Sequence, residues 1–449
     1  MRYGVLVFLC VLSFLSYFDR VCIMQAHGEI ERDLHITESQ MGSIMSAFWL
    51  AYAIFDIPGG WMGERFGARK TLTRIVLAWS IFTALTGSAV GFVSLYTYRF
   101  LFGLGEAGAY PNMARVQSRW IPPQHQGRVS GAIWLLARWG GAFSPFLFIA
   151  LSQRVNSHAF RHFLYALGLH SVSTLPAWRL AFWTCGLFGV AWVLLFYPWF
   201  RDHPADHPSV NAAELQCITA GALPARARPR YNRRIWASLF LSRNLWAMAI
   251  FQALGSFGWS FFVSWLTTFL YRQYSVDYSH SGLLSALPLF CGGIACLVGG
   301  WISDRIIRIT GRQRFGRAVL PICGRLVCAA SIFAVRYAPS PTIAIAFMCV
   351  TMIAYDLGQG PNWAAIIEVG GIYAGIATGF TNTIGNLGNI LQPRIGQWIF
   401  SHFGWNSLFT VFTVIYLLSG SMWLIVDPKR RFYRDEDVPA ATEPGEFPV

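Results

Sequence analysis

The sequence predicts an all-α membrane protein of twelve transmembrane helices arranged as two pseudo-symmetric six-helix bundles. Three observations carry this. Hydrophobic residues make up 55% of the 449 residues and charged residues 12%, about half the charged share of an ordinary soluble domain. Apolar windows long enough to cross a bilayer recur along the chain. The motifs of the first half return in the second.

Windows of roughly twenty apolar residues, the length that spans the hydrocarbon core, begin near Gly4, Met41, Leu72, Ser94, Val129 and Arg179. They begin again near Leu245, Ser281, Arg317, Thr342, Ala374 and Ser407. The first is too long for a signal-peptide core, carries Asp19 and Arg20 and meets no small-residue cleavage site, so it is expected to remain as a span. Residues 201–243, rich in Pro, Ala and Arg, read as a cytoplasmic linker between an N-terminal bundle (1–200) and a C-terminal bundle (244–427). The tail, 428–449, mixes acids, bases and prolines without periodicity and is expected to be disordered.

The net charge of +14 comes mainly from alternate loops, among them 64–70, 225–234, 305–317 and 429–434. That distribution is a topology signal rather than a nucleic-acid surface, and it places both termini in the cytoplasm of an inner-membrane protein. The nine cysteines form no CxxC pair and the ten histidines no HExxH motif, so neither disulfides nor a metal site is indicated. No nucleophile, base and orienting group stand together as a hydrolase or transferase would need, so an enzyme is not expected.

The repeats are the most informative feature. GGWMGER (59–65) returns as GGWISDR (299–305). In the fourth and tenth spans Glu106, Gly108, Pro111 and Asn112 reappear as Asp356, Gly358, Pro361 and Asn362. In the fifth and eleventh, Gly127, Gly131, Gly140 and Pro145 match Gly375, Gly379, Gly388 and Pro393. Two related bundles around a midplane cavity are a common design among secondary transporters.

With GWMGERFGARK (60–70), the chain resembles the major facilitator superfamily, whose loop signature this run matches with Glu64 where Asp is usual. The resemblance implies a gating motif of Gly60, Glu64, Arg65, Gly67, Arg69 and Lys70, with Asp304 and Arg305 in its weaker second copy. In the family the acid and base of this loop pair to hold one gating state; topogenic basic residues are the alternative. YFDR (17–20), YAIFDIPGGW (52–61), RFLFGLGEAGAYPN (99–112) and GFTNTIGNLG (379–388) resemble the anion:cation symporter branch, bacterial importers of organic anions, notably sugar acids, with protons. The chain departs from that branch in the segment 152–178, in Asp56, and in the membrane charges Arg138 and Asp356.

A charge near the middle of a span costs at least about 2.5–3.5 kcal/mol and faces a wet cavity or a partner. At 3.6 residues per turn Ser13, Ser16, Tyr17 and Arg20 form one polar stripe, which should face the pore, where the planar fork of Arg20 suits a carboxylate. Asp19 sits about a third of a turn away and can titrate, or can form a structural bridge. Arg99 and Glu106 lie two turns apart on one face. The resemblance links Asp19 and Glu106 to proton coupling; Arg99 either supports them or bridges helices.

Tyr17, Tyr52, Trp363 and Asn382 match family positions that contact a polyol anion. Asn382, Asn386 and Asn389 share a helix face, as do Gln252, Ser256, Trp259 and Ser260; Trp259 is either a ligand wall or packing. Arg138 forms a second carboxylate clamp, or else neutralises Asp56 or Asp356, the symmetry mate of Glu106.

The expectation is a monomeric proton-coupled symporter of a small organic anion, a hexuronate or aldonate, embedded in lipid. The proton is the coupling ion, no other cofactor is called for, and nucleic acid is no partner. Transport of another anion, proton antiport and a transporter-like sensor are the alternatives. The fifth span lacks the adjacent glycine-proline pair typical of drug exporters.

Overall fold

A computed structural model describes residues 1–219, 231–276 and 278–434, and it is helical with no strand among them. The first bundle contains α1 (Arg2–Gln25), α2 (Glu38–Phe66), α3 (Ala68–Thr86), α4 in two parts (Phe92–Glu106 and Ala109–Trp120), α5 (Gln126–Asn156) and α6 (Ala177–Trp199). The second contains α7 (Arg243–Ser264, continued by Leu266–Tyr274), α8 (Tyr278–Thr310), α9 (Gln313–Ala334) and α10 in two parts (Pro341–Leu357 and Gln359–Gly370). A last helical run, Ala374–Met422, is broken at Gly404 (φ 80°) into α11 (374–403) and α12 (405–422).

Among the described residues, eight helical stretches are long and apolar enough to cross a membrane. The stretch Pro341–Met422 holds three crossings, and α3 and the broken α4 complete the twelve. An even number of crossings leaves both chain ends on one side, called here the terminal face; the opposite side is the distal face.

Close helix approach explains the repeated glycines, since without a hydrophobic drive in lipid the helices associate through backbone contact at small residues. A Cβ at Gly131 would lie 2.3 Å from the Cys296 carbonyl oxygen of α8, and one at Gly60 would lie 2.7 Å from the Gly375 oxygen of α11. A Cβ at Gly127 would lie 2.7 Å from the Gly300 carbonyl oxygen, and one at Gly379 3.0 Å from the Ile57 Cα. These two seams, α5 on α8 and α2 on α11, join the bundles near the terminal face. Gly140 and Gly388, one step further along the repeat, pack inside their own bundles on Phe14 and Ala253. α4 breaks at Gly108, whose φ of 83° favours glycine and whose Cα meets Gly59 so closely that a Cβ would come within 2.5 Å.

Part of the linker is ordered. The Met1 ammonium donates to Glu214 at 2.7 Å, tying the helix Ala212–Thr219 to the start of α1, while 220–230 lie outside the described residues. The tail corrects its expectation for 428–434: Phe432 and Tyr433 are buried against Tyr373, and the Ile372 amide donates to the Tyr433 hydroxyl at 3.3 Å. Residues 435–449 lie outside the described residues. The departing segment 152–178 forms the end of α5 and two short helices, His158–Ala166 and His170–Ser173, on the distal face.

Candidate functional site

A cavity of about 330 Å³ opens between the bundles toward the distal face, with Met24, Met45, Trp49, Val263 and Leu289 among its wall residues. It narrows to a polar floor of about 40 Å³. The seams described above close the terminal side, so the structure is in a distal-open state.

The floor collects most of the predicted residues. Tyr17, Arg20, Tyr52, Arg138, Trp259, Asn382 and Asn386 all line it, with Gln252, Ser256 and Asn389. The α1 stripe faces inward as its period requires: Ser13 bonds the Tyr110 hydroxyl at 2.8 Å, Ser16 donates to Glu106, and Tyr17 and Arg20 reach the cavity. Arg20 Nε donates to Glu106 Oε1 at 2.8 Å, and its guanidinium lies 4.6 Å from the Tyr52 ring centre and 5.0 Å from that of Tyr17. Its Nη2 has no partner among the described residues. Glu106 is fully buried behind Arg20, so the cavity reaches the acid only through the base.

Asp19 points away from the cavity. Its carboxylate, with one oxygen unpartnered, shares a buried pocket with the thiols of Cys22 and Cys185, all three groups within 4.8 Å. Arg99 forms no ion pair among the described residues. Its guanidinium lies over Phe102 at 4.6 Å and Phe48 at 5.3 Å, which leaves it the supporting cation rather than a bridge to Glu106.

Arg138, which lines the floor, also grips Asp356 with both Nε and Nη2, at 2.9–3.2 Å, across the bundle interface. Glycines of α8 make room, since a Cβ at Gly292 would strike Asp356 Oδ2 at 2.3 Å and one at Gly293 would meet Arg138 Cβ at 3.2 Å. Trp259 lies 4.8 Å from the Arg138 guanidinium and so belongs to the wall as well as to the packing. Asp56 has no basic partner among the described residues. Its oxygens accept from the Gly108 amide at 2.9 Å and the Asn382 amide at 2.6 Å.

Trp363 is a correction. It is 2% exposed and lies beneath the floor, its ring 5.3 Å from Trp134 and 5.7 Å from Tyr110, which cover it. In this state it supports the ligand wall instead of forming it. Sequence reasoning missed Trp49, Tyr110, Trp134, Tyr355 and Gln359, all at the floor. Trp134 stands one turn before Arg138 and Tyr110 four positions after Glu106, so helical spacing from the predicted residues would have found both. Also missed was Arg325, buried in α9 with its guanidinium 3.9 Å from the Tyr355 ring.

The gating motif is a second correction. Glu64 pairs with no base among the described residues; its carboxylate accepts from the Ile376 amide at 3.0 Å, at the N-terminus of α11 in the other bundle. Asp304 does the same at the N-terminus of α5, accepting from the Gly127 and Arg128 amides at 3.0 and 2.8 Å. Exposed helix amides and the helix dipole favour an anion at that end. Of the two acids Asp304 alone adds bases, Arg317 at 2.7 Å and Arg128 at 3.6 Å, neither of them the Arg305 of its motif. Gly60 serves the α2–α11 seam. Gly67 turns the chain at φ 87° beside Asp202, Arg69 donates to the Tyr197 carbonyl at 2.8 Å, and Arg65 lies over Trp61. Lys70 and Arg305 are exposed.

Two bundles closed at one face around a polar, charge-lined cavity define a secondary transporter, and the comparisons with known proteins agree. The profile of the Major Facilitator Superfamily matches residues 9–393, and the chain belongs to that superfamily; it is a multi-pass transporter and not an enzyme. It is 29% identical over 90% of its length to the "Probable sulfoacetate transporter SauU" of Cupriavidus necator, of which it covers 88%. It is 27% identical to the "Probable galactarate/D-glucarate transporter GudP" of Escherichia coli K12, with 87% of this chain and 85% of that protein aligned. It is 26% identical to the D-galactonate transporter of E. coli O6:H1, over 96% of each. Among solved structures the proton:xylose symporter XylE shares the fold, with a TM-score of 0.70 at 15% identity over 95% of this chain and 96% of that one.

Proposed function

We propose that the protein is a proton-coupled symporter importing a small organic anion, most readily a sugar acid such as an aldonate or hexuronate, across a bacterial-type inner membrane. Both termini are then cytoplasmic, the terminal face is the cytoplasmic face, and the monomer is the working unit. The observation that carries this reading is that the cavity has arginines but neither of the two at its floor is free: Arg20 is bound by Glu106 and Arg138 by Asp356. An incoming carboxylate must compete with a resident one in a poorly screened place. Protonating Glu106 removes its charge and turns Arg20 toward the substrate, so anion and proton each favour the other's binding. The buried acids Asp19, Asp56, Glu106 and Asp356 offset the bases Arg20, Arg99, Arg138 and Arg325, and Arg394 on the cavity wall adds a base that draws an anion in.

The named relatives support an organic anion; that SauU carries a sulfoacetate name keeps a small sulfonate as the second reading. Proteoliposomes with an imposed pH gradient, acid outside, test both. Radiolabelled galactonate or glucuronate should accumulate and the accumulation should rise as external pH falls, while phosphate and glutamate should not accumulate. Uptake indifferent to the gradient would exclude proton symport, and uptake of sulfoacetate alone would favour the second reading.

A further inference from the structure

Asp56 enters the mechanism above only as a charge, yet it is wholly buried on α2 and joins the two bundles. Its Oδ2 accepts from Asn382 Nδ2 of α11 at 2.6 Å, a charge-assisted bond, and an ionised carboxylate can only accept. Asn382 must therefore turn its NH2 toward α2, where it also donates to the Tyr52 hydroxyl at 3.2 Å. Its carbonyl oxygen faces the other way and accepts from Gln252 Nε2 at 3.2 Å. That orientation leaves Gln252 Oε1 with no donor among the described residues.

A second chain along α11 runs with the same polarity. Asn386 donates to the Asn382 backbone carbonyl at 2.9 Å, Asn389 donates to Asn386 Oδ1 at 3.1 Å, and Asn389 Oδ1 is likewise left without a donor. The other unpartnered groups among the described residues of the floor are donors: Arg20 Nη2 on α1, the Trp134 indole N–H on α5, and the Trp259 indole N–H on α7 itself. Asp56 thus sets the sense of one free acceptor, Gln252 Oε1, while the Asn382 backbone carbonyl sets that of the other, Asn389 Oδ1.

We infer that Asp56 determines substrate specificity: by fixing the Asn382 amide it presents Gln252 Oε1 as a free acceptor, in addition to Asn389 Oδ1, so the site favours a monocarboxylate whose other end carries hydroxyl donors over one with a second carboxylate or sulfonate there. Asp56 acts through Asn382 and does not touch the substrate. The inference rests on the anion-transport reading above. A polyol hydroxyl gives Gln252 Oε1 and Asn389 Oδ1 the protons they lack. A second anionic group brings no proton to either acceptor, and buried groups left unpaired discriminate strongly.

Calorimetric titration of the purified full chain with galactonate, with galactarate, which replaces its terminal hydroxymethyl by a carboxylate, and with sulfoacetate tests this. Wild type should bind galactonate at least about tenfold more tightly than either dianion. Asp56→Asn lets the Asn382 amide reverse, and the galactonate:galactarate ratio should fall by about tenfold, through a gain for galactarate. Gln252→Leu, which removes one free acceptor and leaves Asp56 in place, should weaken galactonate more than galactarate, a change in ratio that loss of packing alone does not produce. Wild-type preference for either dianion, or equal loss for galactonate and galactarate in both variants, would overturn the assignment. Failure of all three anions to bind wild type would overturn the anion reading itself, and this one with it.

Discussion

Glu106 and Asp356 occupy corresponding positions in the two halves, and each is held by an arginine, but the two arginines come from different places. Arg20 stands in the same bundle as Glu106. Arg138 reaches Asp356 from the opposite bundle. When the bundles rock about the midplane, a pair inside one bundle can ride along intact, and only a change of charge or a competing ligand dissolves it. A pair across the interface answers to movement itself. The first is built for coupling a proton to an anion, the second for reporting or holding the state of the gate.

The largest effect expected from breaking this contrast is at Arg20. Arg20→Ala should lose anion binding by at least about 30-fold, because truncating one side of a buried charged contact costs about 2–5 kcal/mol, and Arg20→Lys should rescue poorly for want of the planar fork. Titration calorimetry reads this directly; near-normal affinity in Arg20→Ala would remove it from the site.

Next in size is the cross-bundle pair. Arg138→Met strands Asp356 in the membrane and should destabilise the protein by about 3 kcal/mol, while the double variant Arg138→Met/Asp356→Leu should recover most of that loss. Thermal unfolding in detergent compares them. Equal destabilisation of the single and double variants would mean that the pair is not what holds the interface.

The same contrast appears at the gate. Asp304 has a helix terminus and the directly paired Arg317, whereas Glu64, among the described residues, bonds the α11 terminus and makes no ion pair. Glu64→Gln should therefore shift the protein away from the distal-open state by about 0.3–1 kcal/mol, the worth of a charge at a helix end. Accessibility of a cysteine introduced at Ser46, in the distal wall, should fall to match, and unchanged labelling would deny Glu64 a part in the gate.

How much of this was legible in the sequence follows from what kind of fact each is. The twelve crossings and the two halves are properties of composition and repetition, and they stand as expected. So does the inward face of α1, because Ser13, Ser16, Tyr17 and Arg20 obey one helical period. The pairings between bundles were not legible: Arg138 and Asp356 are far apart in the chain, and which of two acids an arginine reaches depends on helix approach set by Gly292 and Gly293. Glu64 was expected to seek a base because sequence displays side chains, whereas the backbone amides of Gly375 and Ile376 that form the α11 terminus leave no mark in it. Trp363 was placed by its position in a motif, which fixes neighbours along the helix but not depth below the cavity in a given state. Arg325 was hidden in an apolar span whose flanks are already rich in arginine.

The central claim is that binding the anion takes up a proton at Glu106. It is tested most directly by calorimetric titration of galactonate into purified protein at one pH in buffers of different ionisation enthalpy, which counts protons bound per anion. Wild type should take up about one proton, and affinity should rise as pH falls, as linkage requires when binding consumes a proton. Glu106→Gln, already neutral, should bind with no proton uptake and no pH dependence, exchange anion across a membrane, and fail to concentrate it. Zero proton uptake in wild type, or undiminished uptake in Glu106→Gln, would contradict the account, the latter pointing to Asp19 or Asp356 instead.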